Sequence, residues 1–138
     1  MACPLCDRPA GEVIRDDGFL RVVLPDEPEF PGFARVILRA HVAEMTDLPQ
    51  ADRDRLMAAV WKVEAVQRAV LRPDKVNLAS LGNMVAHLHW HVVPRWRDDA
   101  RFPGSPWTPP AAAGAAPAPA RVIDPDAYRA ALRAAFAG

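Results

Sequence analysis

The chain is poor in the features that mark secreted and membrane proteins. Among its 138 residues there are two cysteines, Cys3 and Cys6, and no apolar run long enough to span a bilayer. Its first residues, "MACPLCDRPAGE", lack the basic start and apolar stretch of a signal peptide. A cytoplasmic protein with no membrane partner is the expectation. In a reducing compartment a structural disulfide is not expected, so Cys-x-x-Cys points to metal or redox chemistry. There is also no excess of either charge, 17 basic against 17 acidic residues, which forecasts no nucleic-acid partner. What the chain does have is apolar residues, 51% of the whole, enough for one domain with one core. It has only four histidines, His41, His87, His89 and His91.

The pattern along the chain reads as α+β: an antiparallel sheet with one long helix and a C-terminal helix. Asp16, Asp17 and Gly18 form a hairpin turn, followed by strands over residues 19–24 and 33–38. Pro25, Pro28, Pro31 and Gly32 force a loop between them. Leu56, Val60, Val63, Val66 and Val70 recur at helical spacing, with Pro49 in the first turn and Pro73 as a stop. Residues 75–82 and 85–96 read as two further strands, the second stopped or bent near Pro94. Residues 98–120, rich in Pro, Ala and Gly, read as an irregular segment. A short helix follows, with Asp124 as cap, Pro125 at its first position and Gly138 past its end.

Three of the four histidines fall in "HLHWHVV", residues 87–93. On a strand, alternate side chains share a face, so His87, His89 and His91 line up while Leu88, Trp90 and Val92 turn to the core. A helix would separate His89 from the other two. Imidazoles in such a row can hold a metal, or one can act as a nucleophile oriented by its neighbours. A neutral imidazole attacks phosphorus well when its other nitrogen is protonated and held by a carbonyl.

"HLHWHVV" resembles the His-φ-His-φ-His-φ-φ signature (φ, apolar) of the histidine triad (HIT) superfamily of nucleotide hydrolases and transferases. "CPLC" resembles the N-terminal Cys-x-x-Cys of many bacterial members. Asp26, "PGFARVILRAH" (residues 31–41) and Asn77 with Gly82 and Asn83 resemble, in order, the loop, strand pair and approach to the triad. The likeness covers roughly residues 3–96. It implies a nucleotide-binding catalytic domain over residues 1–100 and a tail with a short helix over residues 101–138. It further implies His89 as nucleophile on an α-phosphate, forming a nucleotidyl-histidine that water releases as a nucleoside monophosphate. His91 would contact the phosphate or the leaving group, and the His87 region would hold the His89 tautomer. Asn77, Gly82 and Asn83 would meet phosphate oxygens, Asp26 the ribose hydroxyls, and Arg95 a distal phosphate. Phe33 and Arg39 depart from the family's usual His and Pro. Met84 stands where phosphoramidase-type members have Ser or Thr; a thioether donates no proton, which points to a diadenosine polyphosphate-type substrate.

The resemblance also implies a structural zinc held by Cys3, Cys6, His41 and His87, with no organic cofactor, and a homodimer in which Trp96, Trp107 and the tail lie across the interface. A closed four-ligand site leaves no position for chemistry. The rival for the cysteines is a metal-free thiol pair; redox catalysis would want the motif after a strand. Rival functions are a nucleotidyl transferase or phosphorylase, a phosphoramidase, a silent nucleotide-binding protein, and a metallohydrolase with metal on His87, His89 and His91. The base would lie among Leu5, Phe19 and Ile37.

Overall fold

The computed structural model describes residues 2–110 and 121–137. Its elements are α1 (Pro4–Asp7), β1 (Glu12–Asp16), β2 (Leu20–Leu24), β3 (Ala34–Leu38), α2 (Gln50–Val70), β4 (Lys75–Ala79), β5 (His89–Arg95) and α3 (Pro125–Phe136). The strands form one antiparallel sheet in the order β1-β2-β3-β5-β4. Alternation gives this sheet two different faces. One carries Leu20, Val22, Val36, Leu38 and Val92, which pack with Leu56, Val60 and Val63 of α2. The other carries Arg21, Arg35, His89, His91 and Asn77, by register.

Asp17 closes the β1–β2 hairpin, its carboxylate accepting from the N–H groups of Phe19 and Leu20 at 2.9 Å each. Helix α2 ends where expected, but Val70 is 39% exposed, and the buried residue of that last stretch is Gln67. A polar group this deep needs partners. Gln67 Nε2 lies 3.1 Å from Gly32 O and 3.0 Å from Val92 O, and donates to Tyr128 Oη at 3.1 Å. The Tyr128 hydroxyl in turn donates to Gly32 O at 2.6 Å. Gly32 has φ +84, and a Cβ there would collide with Leu71 Cδ1, so both backbone and space demand glycine. Pro49 sits one position earlier than expected, at the N-cap rather than inside the first turn.

Pro94 does not stop β5, which continues to Arg95. Strand β3 ends opposite Val92, so Pro94 has only β4 beside it and its missing N–H interrupts no ladder on that side. Residues 98–110 are turns, and the part of the expected irregular segment at 111–120, with Gly138, lies outside the described residues. Asp124 caps α3, accepting from Ala127 N at 3.1 Å, with Pro125 at the helix start. Tyr128, Leu132 and Phe136 bring α3 into the same core cluster as the sheet and α2. Among the described residues no helix is long and apolar enough to cross a membrane.

Candidate functional site

The histidines do not form one row. Strand β5 opens at His89, and His87 lies just before it. The His87 side chain is 1% exposed and faces the N-terminal segment. Its Nε2 donates to Leu38 O at 2.6 Å, which leaves the Nδ1 lone pair free. That Nδ1 lies 3.5 Å from Cys3 Sγ, 3.4 Å from Cys6 Sγ and 3.2 Å from His41 Nδ1. Cys6 Sγ is 3.4 Å from His41 Nδ1. The four ligand atoms lie within 4.8 Å of one another. Bonds of about 2.0–2.3 Å in a tetrahedron put neighbouring ligands roughly 3.3–3.8 Å apart, close to this spacing. The cluster could hold a metal, and the Leu38 carbonyl supplies the outer bond that ligating imidazoles use. Arg21, 4% exposed, anchors the segment by donating to the carbonyls of Leu5, Arg8 and Pro9.

It is the backbone of His87, not its imidazole, that touches His89. His89 Nδ1 donates to His87 O at 2.6 Å. A carbonyl only accepts, so Nδ1 carries the proton and Nε2 carries the lone pair. Ser80 Oγ donates to His89 O at 3.0 Å and ties the approach loop to the strand. His91 is 6% exposed, its ring edge-on to His89 at 5.0 Å, Phe33 at 5.6 Å and Trp107 at 5.0 Å. Burial, with the charges of His89 and Arg35 beside it, holds the His91 imidazole down at about 4. Near neutral pH it is therefore an uncharged ring. His87 is also pushed down, first by burial, against the opposing pull of its Leu38 bond.

The remaining residues picked from the sequence divide. Asn77 lines a cavity of about 590 Å³ that runs from Trp107 along the β4 edge past Ala79 and Lys75. Its Oδ1 accepts from Arg95 Nη1 at 2.8 Å. Arg95 itself is 2% exposed and forks onto both carboxylate oxygens of Asp99, at 2.6 and 2.9 Å. The structure thus places Arg95 behind Asn77, with three of its five N–H donors taken by Asp99 and Asn77. Gly82, at φ +73, and the exposed Asn83 lie in the loop before His87. Asp26 is exposed and bonds to none of the histidines. Met84 is almost wholly exposed.

Other expectations need correction. Phe19 packs against the core cluster under Arg55, on the helix side of the sheet. Leu5 and Ile37 are buried together beneath the N-terminal segment, so none of the three walls an open base site. Trp96 is buried, with Arg121 over its ring at 5.0 Å. Two residues of the site escaped the sequence reading. Trp107 reaches His91 from an irregular segment, which no local pattern reveals. Arg35 was legible as the one charge in "ARVIL", at an alternating position of an otherwise apolar strand.

The sheet order and an imidazole whose tautomer is fixed by a backbone carbonyl are features a whole class of proteins can share. The family model for the HIT domain matches residues 8–98, and the chain belongs to that family. It is 35% identical over 98 residues to an AP-4-A phosphorylase of Mycobacterium tuberculosis, covering 67% of this chain and 50% of that protein. The chain thus spans about half the length of this curated relative. The fold matches a histidine triad protein of Bradyrhizobium japonicum with a TM-score of 0.73 at 24% identity, over 93% of this chain and 92% of the other. A zinc-bound histidine triad family protein of Mycobacterium smegmatis matches with a TM-score of 0.62 at 26% identity, over 98% and 93%.

Proposed function

We propose that this protein is a nucleotide hydrolase that works through a nucleotidyl-His89 intermediate on diadenosine polyphosphate-type substrates. The observation that carries the reading is the 2.6 Å bond from His89 Nδ1 to the His87 carbonyl. It fixes the tautomer whose Nε2 can attack. The Nε2 lone pair forms a bond to the α-phosphorus, and the bond to the bridging oxygen breaks. The rest of the phosphate chain leaves with that electron pair. The imidazolium keeps its proton on Nδ1, hydrogen-bonded to the His87 carbonyl. Water then attacks phosphorus and gives up a proton to solvent, the N–P bond breaks back onto His89, and a nucleoside monophosphate leaves. His91, uncharged near neutral pH, offers a hydrogen bond to the phosphate, and Asn77 meets the chain in the adjoining cavity. Asp26, Gly82 and Asn83 complete the nucleotide contacts, and Arg95 acts by holding Asn77.

A second reading has a specific support. The Mycobacterium tuberculosis relative is named a phosphorylase, and phosphate in place of water as the second nucleophile would give a nucleoside diphosphate. Brief mixing with diadenosine tetraphosphate, followed by mass spectrometry, tests both. An added AMP mass on the wild type, absent from His89→Ala, is expected. AMP as product regardless of added phosphate supports the hydrolase; ADP that appears with phosphate supports the phosphorylase. Nucleotide binding with neither adduct nor product would overturn the enzyme reading.

The same proposal includes a structural zinc on Cys3, Cys6, His41 and His87. The donor set, two thiols and two imidazoles, is one zinc takes in closed sites. Metal analysis of protein purified without chelator should give one zinc per chain. A homodimer through α2, where Trp61 is 58% exposed, and the edge strand β4 is the expected assembly, read by light scattering.

A further inference from the structure

Three arginines stand on the histidine face of the sheet, by register. Arg21 is committed to three carbonyls, and Arg95 to Asp99 and Asn77. Arg35 forms no hydrogen bond or ion pair among the described residues. Its Nε is buried and without a partner. Its guanidinium lies over the Phe33 ring at 5.5 Å, which holds the fork in place without using its donors. The acid whose field reaches it is Glu27, with no bond between them. A buried N–H without a protein partner is costly unless an acceptor from outside the chain, water or ligand, meets it. Phosphate oxygens match that fork.

Register places the acceptor. Arg35 pairs with His91, and Ile37 pairs with His89, so Arg35 and His89 are diagonal neighbours. Diagonal pairs across a strand ladder stand about 7–8 Å apart. That spacing is between backbones, and the long arginine side chain can reach from it to a phosphate next to the one at His89. We infer that Arg35 is a specificity residue that binds a phosphate of the substrate beyond the one His89 attacks, and so selects polyphosphate substrates over nucleotides with a single phosphate. The inference rests on His89 being the nucleophile, but its binding test does not require turnover.

The test is calorimetric titration of the wild type, Arg35→Gln and Arg35→Lys with inorganic tripolyphosphate and, separately, with AMP. Arg35→Gln should weaken tripolyphosphate at least tenfold and AMP less than twofold, with Arg35→Lys between. Thermal melting and metal content establish that each variant is folded; if Arg35→Gln is not, Arg35→Lys carries the same comparison. Equal losses for both ligands, no loss for either, or a wild type that ignores tripolyphosphate would overturn the inference. Tripolyphosphate binding that depends on Arg35, in a protein that ignores AMP, would keep the anion site and sink the nucleotide reading alone.

Discussion

His87 and His89 are two residues apart and belong to regions of opposite character. Around His87 the polar atoms have partners: Leu38 O on one nitrogen, two thiols and His41 on the other, and Arg21 bonded to three carbonyls behind them. Around His89 the partners run out. His91 Nδ1 and Arg35 Nε, on the same face, are buried without a protein partner. Satisfied polar groups hold a structure in one state, whereas unsatisfied ones carry free energy that a ligand can release. The contrast fits an anchoring role for the first region and the binding role proposed for the second.

Four perturbations, in order of decreasing effect, should separate the two regions. His89→Ala should lower turnover by roughly 10⁴-fold, as loss of a covalent nucleophile does, while melting temperature and metal content stay put. A fall in stability instead would mean that His89 anchors too. Removing the metal with a chelator should lower the melting temperature by roughly 10 °C, since metal binding is folding free energy. An unchanged melt would take the anchoring role from the cysteine cluster.

Third comes pH. The His91 imidazole titrates at about 4 in the folded protein against 6.5 for the free group. Between those values the unfolded chain binds the extra proton, so stability is full above about pH 6.5 and falls as pH drops toward 4. The loss is at most about 3 kcal/mol, from 1.36 kcal/mol per unit. Denaturant unfolding of wild type and His91→Asn across this window should show the shallower slope in the variant; parallel slopes would remove His91 as the cause. Last, Arg21→Met should cost about 2 kcal/mol and loosen metal binding, as loss of charged hydrogen bonds to buried carbonyls does. Diadenosine tetraphosphate turnover of the zinc-loaded variant should stay within a few-fold of wild type, and a collapse of activity would join the two regions.

Local patterns carried much of the fold into the sequence. The hairpin at Asp16–Gly18, the stripe through Leu56, Val60 and Val63, and the cap at Asp124 each act over a few residues, and each is present. The four members of the candidate metal cluster were legible through the family resemblance, since the chain alone offers His89 and His91 as well as His41 and His87. What failed depended on contacts between distant residues. His87 leaves the strand pattern because cysteines more than eighty residues away claim its ring. Gln67 stands on the apolar stripe of α2, seven residues after Val60, and a polar group is held there because Gly32, Val92 and Tyr128 converge on it.

One residue still spans both regions. The His87 ring lies among the thiols while its carbonyl receives the His89 proton. A shift of the ring therefore drags the carbonyl, and a shift of the carbonyl drags the ring. If the cluster holds a metal and His89 meets a nucleotide, any coupling through His87 is reciprocal: a nucleotide that tightens the grip on the ion by some factor would itself be gripped more tightly, by the same factor, with the ion bound.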